Sequence, residues 1–249
     1  MDSINIPKII HYCWFGNNPK NEKIEKYIDS WKVHMPDFQI IEWNESNFDV
    51  NKLNYTREAY EMKKYAFVSD VARVEALYKY GGIYFDTDVE VLKNFEDILN
   101  NICVLGFEEE EYVATSMMAV APKHPLFRKF VELYKNESFL DDKGNIIEGT
   151  NVLKLTELLV EKGLKRENIY QEISDGICIY PKEYFSPYVY SYGVYQITSN
   201  SYCVHHFCVS WLPKSVYTKR NIKKYIVRLI GLENAINIRN KIVGQVKGE

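Results

Sequence analysis

The sequence predicts an α/β fold, and its first fifty residues give the main reason. Residues 8–15 (KIIHYCWF) are apolar and aromatic, and the loop-forming residues 16–19 (GNNP) follow them, as expected of a short buried strand. Residues 22–33 repeat apolar side chains at helical spacing, and residues 38–43 have the composition of a second strand. A strand–helix–strand opening is typical of a parallel sheet with crossover helices.

Residues 65–80 carry the clearest helical pattern of the chain, and Gly81-Gly82 ends it. Residues 83–85 (IYF) then predict a short strand. Further strands are predicted at 89–92, 102–107, 112–121, 177–180 and 202–209, and further helices at 125–134, at 150–161 and from 217 onward. We therefore predict a single α/β domain with a mixed, mostly parallel sheet over residues 1–213, followed by a helical appendage over residues 214–249.

Composition and charge argue against several classes of protein. Hydrophobic residues make up 46% and charged residues 26% of the 249 residues, as in an ordinary soluble globular protein. The net charge of −3 argues against a nucleic-acid binder. The five cysteines are odd in number, so reduced thiols in a cytosolic protein are the simpler interpretation. We find neither a signal peptide nor a stretch approaching the ~20 apolar residues of a membrane span.

Asp86-Thr87-Asp88 carries the strongest chemical signal. Three apolar residues anchor the preceding strand, and two carboxylates emerge where that strand ends. In open α/β sheets, ligands bind at the carboxyl ends of strands. Two acids spaced i, i+2 can turn toward one ion, and their oxygens suit Mg²⁺ or Mn²⁺. Such an ion can bridge two phosphates and stabilise a leaving nucleoside diphosphate.

Two other interpretations of this motif remain open. An apolar strand followed by D-x-D-x-V also resembles the haloacid dehalogenase-like phosphatases, in which the first Asp is the nucleophile. Those enzymes carry the motif on their first strand, whereas here it follows a strand–helix–strand unit and a long helix. A sugar-nucleotide-binding protein without transfer activity is the other alternative. The presence of all five candidate site residues argues against it: Asp70, Arg73, Asp86, Asp88 and His206.

A longer pattern carries a specific family resemblance. Residues 67–73 (FVSDVAR) and 77–88 (LYKYGGIYFDTD) follow the order S-D-x-x-R, a spacer, G-G-x-Y-x-D-x-D. This stretch resembles the DXD sugar-binding region of glycosyltransferase family 32, which holds bacterial capsular-polysaccharide transferases and initiation-specific yeast α-1,6-mannosyltransferases. It is also similar to the glucosylating clostridial toxins. The resemblance implies a single nucleotide-binding, Rossmann-like domain of the GT-A type.

Within this region the resemblance implies a role for each polar residue. Asp70 would accept hydrogen bonds from hydroxyls of the donor sugar, and Arg73 would contact the sugar or the diphosphate. Tyr84 would lie near the ribose. Asp88 would bind the metal directly, and Asp86 would bind it directly or contact metal-bound water and the ribose. Considered alone, Asp70 and Arg73 would be a helix N-cap and an i, i+3 ion pair.

The N-terminal strand extends the resemblance. Residues 6–16 (IPKIIHYCWFG) are similar to the first strand of the family, which delivers an aromatic residue to the nucleobase. The resemblance implies this role for Trp14, and stacking on a base contributes roughly 1–3 kcal/mol. The alternative is a core tryptophan at the end of the strand.

Residues 203–211 (CVHHFCVSW) provide a third match. In an extended segment, His206 and Ser210 share one face. The resemblance implies that His206 is a third metal ligand, that Ser210 is an additional ligand and that Trp211 closes over the diphosphate. A zinc site built from the two cysteines and two histidines is an alternative, although C-x-H-H-x-C is not one of the usual zinc spacings.

The resemblance implies a metal-dependent retaining glycosyltransferase with Mn²⁺ or Mg²⁺ as its cofactor. The expected donor is a UDP-hexose, and GDP-mannose is the second choice. The acceptor would be a glycan or glycolipid in the synthesis of a capsule, a lipopolysaccharide or another surface polysaccharide. No residue can be identified from the sequence as a nucleophile that attacks the sugar, which is consistent with a front-side displacement.

The tail beyond residue 214 is basic, and its only acids are Glu233 and Glu249. Its apolar and basic side chains separate at helical spacing, as in helices that lie in the headgroup region of an anionic membrane. We therefore expect a cytoplasmic protein with peripheral contact to the inner face of the membrane. The alternative is that the apolar side packs on the domain or on a second subunit, as in a homo-oligomer.

Overall fold

The fold comes from a computed structural model that describes residues 5–147, 149–189, 192–207, 227–231 and 234. Its helices are α1 (Glu22–His34), α2 (Asn54–Glu61), α3 (Tyr65–Tyr80), α4 (Pro125–Lys135), α5 (Asn151–Val160) and α6 (Lys182–Phe185). Its strands are β1 (Ile9–Cys13), β2 (Gln39–Trp43), β3 (Gly82–Phe85), β4 (Val89–Val91), β5 (Cys103–Gly106), β6 (Met117–Val120), β7 (Gln171–Ile173), β8 (Ile177–Tyr180), β9 (Tyr188–Val189), β10 (Val194–Tyr195) and β11 (Cys203–His205).

A seven-stranded sheet has the order β2-β1-β3-β6-β5-β8-β7. β1 pairs in parallel with β2 and β3, and β5 pairs in parallel with β8, whereas β6 and β7 are antiparallel to their neighbours. Five of the seven strands therefore run in one direction, and the predicted α/β fold with a mixed, mostly parallel sheet is confirmed. Because they share this direction, β1, β3 and β5 end at the same edge of the sheet.

The two faces of the sheet bury different layers of helices. On β3, Tyr84 packs in the cluster that includes apolar residues of α3, α4 and α5, whereas Ile83 and Phe85 pack in the cluster that includes α1. This alternation is the period of two expected of an extended strand. Trp31 of α1 is fully buried, and its indole N–H donates to the carbonyl of Val89 at 2.8 Å, which ties α1 to β4.

Gly81 and Gly82 form the junction between α3 and β3. Their φ angles are +65° and +101°, a region that residues with a side chain rarely adopt. A Cβ atom at Gly82 would also lie 2.5 Å from the carbonyl oxygen of Ile9 on β1. Glycine at this position therefore lets β3 begin directly after α3 while it pairs closely with β1.

The chain divides into two compact units. The first comprises Met1–Pro187 and Ile197–His206, and it holds the large sheet and the antiparallel pair of β4 and β11. The second comprises Tyr188–Gln196 and Phe207–Glu249; its described part holds the antiparallel pair of β9 and β10 and a helical stretch at residues 227–230. The appendage predicted over residues 214–249 lies mostly outside the described residues and stays a prediction.

Several elements differ from the sequence prediction, and β7, α6, β9 and β10 have no counterpart in it. Helix α2 was not predicted, because it has no side-chain N-cap and buries only three residues. The strand predicted at 112–121 is confined to β6, and Val113 forms only an isolated bridge with Phe107. The strand predicted at 202–209 is confined to β11 within the described residues. No helix in the described part of the chain is long and apolar enough to cross a membrane.

Candidate active site

Asp86 and Asp88 directly follow β3, at the edge where β1, β3 and β5 end. The amide of Asp86 donates to the carbonyl of Ser116, and the amide of Val89 donates to the carbonyl of Asp86, so the chain turns between β3 and β4. β4 pairs with β11, whose last residue is His205. One ligand atom from each of Asp86, Asp88 and His205 lies within 4.8 Å of the others. The fold therefore brings together three side chains that could hold a metal ion.

His205 occupies the position that we predicted for His206. Its Nε2 lies 3.2 Å from Oδ1 of Asp88. The ring of His206 instead stacks on Tyr27 of α1 at a centroid distance of 4.4 Å, and its Nε2 lies 2.7 Å from Glu90. Adjacent strand residues do face opposite sides. The pairing of β11 with β4 turns His205, and not His206, toward the two carboxylates, and this corrects the predicted assignment.

A third carboxylate, Glu108, lies beside His205. Its Oε1 is 3.7 Å from Nδ1 of the imidazole, and only 14% of its side chain is exposed. Burial disfavours the charged imidazole, but Asp88 and Glu108 outweigh it and raise the pKa of His205 to about 10. At neutral pH the imidazole therefore carries a proton, which a bound cation would have to displace.

Arg73 lies between the carboxylates of Asp70 and Asp86. Its two terminal nitrogens lie 3.1 Å from Oδ1 of Asp70 and 3.2 Å from Oδ1 of Asp86. The hydroxyl of Tyr84 donates to the same Asp86 oxygen at 2.9 Å, and the Tyr84 ring packs 4.7 Å from the guanidinium carbon. Arg73 also donates to two backbone carbonyls. These contacts hold Asp86 from several directions.

The burial of Arg73 and Tyr84 bears on their predicted roles. Arg73 was predicted to contact the sugar or diphosphate and Tyr84 to lie near the ribose. The structure leaves 5% of Arg73 and 1% of Tyr84 exposed. In this arrangement both side chains support Asp86, and their contact with a ligand stays a prediction.

Asp70 is ionised for the most part at neutral pH. Burial raises its pKa, Arg73 opposes that effect and Asp86 adds to it, with a net pKa of about 6. An ionised carboxylate only accepts hydrogen bonds, so Asp70 can bind hydroxyl groups.

Trp14 follows β1 at the same edge of the sheet. Its indole N–H donates to the carbonyl of Asn18 at 2.6 Å, and the ammonium of Lys20 lies 5.5 Å from its ring centroid. The ring is partly buried, so its stacking on a base stays a prediction. Ser210 and Trp211 lie outside the described residues, and their predicted roles also stay predictions.

Two residues at the site had no role in the sequence prediction. Glu108 belongs to a run of four acids that resembles a solvated loop. It also comes shortly after β5, and ligands bind at the carboxyl ends of strands in open α/β sheets. Glu108 is therefore a candidate for the same reason as Asp86. Asn151 donates a hydrogen bond to Asp70 across 81 positions of sequence. Periodicity within one element gives no signal for such a contact.

One region of the chain matches a known family. Residues 21–105 match the family described as "Glycosyltransferase sugar-binding region containing DXD motif". This range contains Asp70, Arg73, Tyr84, Asp86 and Asp88. The family resemblance carried by these residues is therefore confirmed.

Parts of the chain also match curated relatives. "Inositol phosphoceramide mannosyltransferase 3" of Schizosaccharomyces pombe (strain 972 / ATCC 24843) is 29% identical over 137 residues, which are 52% of this chain and 37% of that protein. "Lactosylceramide 4-alpha-galactosyltransferase" of Homo sapiens is 35% identical over 71 residues, 27% of this chain and 19% of that protein. The match thus spans well under half the length of either relative.

Among solved structures, the galactosyltransferase LgtC in complex with donor and acceptor sugar analogs is similar over 86% of this chain and 95% of that chain. The identity is 13% and the TM-score is 0.45.

Proposed function

We propose that this chain is a metal-dependent retaining glycosyltransferase that moves a hexose from a nucleotide sugar to a glycan or glycolipid acceptor. One observation carries the proposal: Asp86, Asp88 and His205 converge at one edge of the sheet, and the two aspartates belong to the region that matches a sugar-binding family. Two carboxylates and an imidazole are the ligands that the described residues offer, and a divalent cation takes further ones, such as phosphate oxygens.

The donor atoms favour Mn²⁺ over Mg²⁺. Mg²⁺ prefers an octahedral shell of oxygens and dehydrates reluctantly, whereas His205 offers an imidazole nitrogen. When bound, the cation would neutralise charge on the diphosphate that leaves with the nucleotide. Arg73 and Tyr84 keep Asp86 in place for this purpose, because they hold its Oδ1 and leave Oδ2 for the cation.

Asp70 is the candidate for binding the donor sugar. It lies next to Arg73, on the side away from Asp86, and its ionised carboxylate can accept hydrogen bonds from sugar hydroxyls. Holding the sugar while the acceptor approaches lowers the entropy cost of bringing two reactants together. Two facts support retention of the anomeric configuration. The name of the human relative specifies an alpha linkage, and common nucleotide-hexose donors have the α configuration.

The donor is proposed to be a UDP-hexose, with GDP-mannose as the second candidate. Matches to relatives named galactosyltransferases support the first, and matches to relatives named mannosyltransferases support the second. Calorimetric titration with UDP-galactose, UDP-glucose and GDP-mannose, each with and without Mn²⁺, decides between them. We expect one donor to bind at least about tenfold more tightly than the others, and only with Mn²⁺, because the cation bridges protein and diphosphate.

Two results of this titration and a product assay would change the proposal. Donor binding of equal strength with and without Mn²⁺ would contradict the metal dependence. Tight donor binding without release of free sugar or transfer to an added acceptor would favour a sugar-nucleotide-binding protein. A haloacid dehalogenase-like phosphatase is disfavoured because the motif follows β3 rather than the first strand.

We further propose that the acceptor is a glycan or glycolipid used in surface polysaccharide synthesis, reached at the inner face of the membrane. The named relatives act on ceramide lipids, and the predicted basic tail would add roughly 1 kcal/mol of attraction per Lys or Arg near an anionic surface. Flotation with anionic vesicles at low salt tests this. Failure of the full chain to float, or equal flotation of a chain ending at residue 215, would contradict it.

A further inference from the structure

Asn151 links the Asp70 carboxylate to two further helices. It is the first residue of α5 and is 4% exposed. Its side-chain Nδ2 donates to Oδ1 of Asp70 at 3.2 Å, and the hydroxyl of Tyr134 on α4 donates to Oδ1 of Asn151 at 2.9 Å. Because one end of an Asn amide donates and the other accepts, the Tyr134 bond sets which end faces Asp70.

Within the described part of the chain, the side-chain hydrogen bond and the ion pair of Asp70 both end on one oxygen. Arg73 and Asn151 both contact Oδ1, at 3.1 Å and 3.2 Å. Two donors from different helices restrict the rotation of the carboxylate. Its Oδ2 is then the oxygen that can accept a hydrogen bond from a ligand.

Helix capping does not explain why an asparagine stands here. Thr150 is the N-cap of α5, and its hydroxyl accepts from the amide of Leu153 at 3.2 Å. Burial of an amide costs free energy unless the amide is hydrogen-bonded, so a buried asparagine needs partners at both ends of its side chain. The amide of Asn151 instead satisfies its hydrogen bonds with Asp70 and Tyr134.

We propose that Asn151 is a positioning residue for the hexose of the donor: it holds Asp70 so that Oδ2 accepts a hydrogen bond from a sugar hydroxyl. The inference rests on the proposed function and deepens it. It assigns Asn151 to recognition of the sugar ring, and not of the nucleotide or the metal. Asn151 also opposes the rise that burial causes in the pKa of Asp70, and so favours the ionised, accepting form.

The test compares two ligands on two proteins. Asn151→Leu keeps the volume of the side chain and removes its donor. With Mn²⁺ present, we expect the Kd for UDP to be unchanged and the Kd for the preferred UDP-hexose to rise about tenfold, the usual cost of one hydrogen bond to a charged group. Should GDP-mannose be the bound donor, GDP replaces UDP. Tyr134→Phe should raise the Kd for the UDP-hexose less, because the Asn151 amide is still present but is free to rotate by 180°.

A double-mutant cycle with Asp70→Asn separates positioning from general damage to the fold. Asn151→Leu should cause no further loss of sugar-nucleotide binding in the Asp70→Asn background, because Asn151 acts through Asp70. Equal weakening of UDP and UDP-hexose, or an additive loss in the double variant, would overturn the inference. Unchanged donor binding by Asn151→Leu would overturn only the positioning role of Asn151. A wild-type chain that binds no donor would overturn both that role and the proposed function.

Discussion

Two groups of charged side chains meet at the end of β3, and they differ in how their charges are balanced. In the acidic cluster, the described residues place the carboxylates of Asp88 and Glu108 beside the imidazole of His205, and a ligand atom of Asp86 lies within 4.8 Å of those of Asp88 and His205. In the support cluster, Arg73 pairs with Asp70 and Asp86, and Asn151, Tyr134 and Tyr84 supply further hydrogen bonds. In the support cluster a buried guanidinium lies between two carboxylates, whereas the acidic cluster gathers, among the described residues, the side chains that we propose bind a cation.

Removing the positive charge of Arg73 from the support cluster is expected to have the largest effect, and this effect is on stability. Arg73→Met would leave the Asp70 and Asp86 carboxylates buried without their shared partner. Breaking a buried ion pair in this way costs about 3–5 kcal/mol. Urea denaturation should show this loss in the free energy of unfolding, and Arg57→Met, on the more exposed side chain of α2, should change it by less than about 0.5 kcal/mol. Equal free energies of unfolding for the two variants would mean that the support cluster does not stabilise the fold.

Neutralising the acidic cluster should spare the fold and abolish metal binding. Asp88→Asn removes one ligand charge, and we expect Mn²⁺-dependent nucleotide binding to weaken at least about 100-fold. Calorimetry measures the binding and thermal unfolding checks the fold, with the exposed Asp29→Asn on α1 as the matched control. Unchanged Mn²⁺-dependent binding in Asp88→Asn would contradict the metal site.

The proton on His205 should make metal affinity depend on pH. Because the folded metal-free pKa is about 10, the imidazole is protonated below that pH and must lose its proton to bind a cation. Mn²⁺ affinity should therefore rise about tenfold per pH unit between pH 6 and 9. Binding enthalpies in buffers of different ionisation enthalpy should report release of about one proton. His205→Gln should release none. Equal proton release by that variant would assign the proton elsewhere.

The two histidines give the finest test of the comparison. His205→Ala should weaken Mn²⁺ binding about tenfold or more, because a ligand is lost. His206→Ala should change it by less than about threefold, since His206 contacts Tyr27 and Glu90, which are outside the candidate metal site. A larger loss in His206→Ala would restore the assignment predicted from the sequence.

Local signals explain why much of the site could be predicted. The helix at residues 65–80, the two glycines and the short strand before Asp86 are all readable from spacing and composition, and the structure confirms them as α3, the junction and β3. Asp70, Arg73, Asp86 and Asp88 lie within this single stretch, so their order along the chain already places them near one another.

The sequence by itself determined the α/β class, the acidic motif at a strand end and the alternation of the two histidines. Tertiary structure decided which histidine faces the carboxylates, because that depends on how β11 pairs with β4 across more than 100 positions of sequence. It also brought Glu108 to His205 and Asn151 to Asp70. Periodicity reports which face of an element is buried, but a contact between distant elements depends on strand order and packing, which no single element encodes.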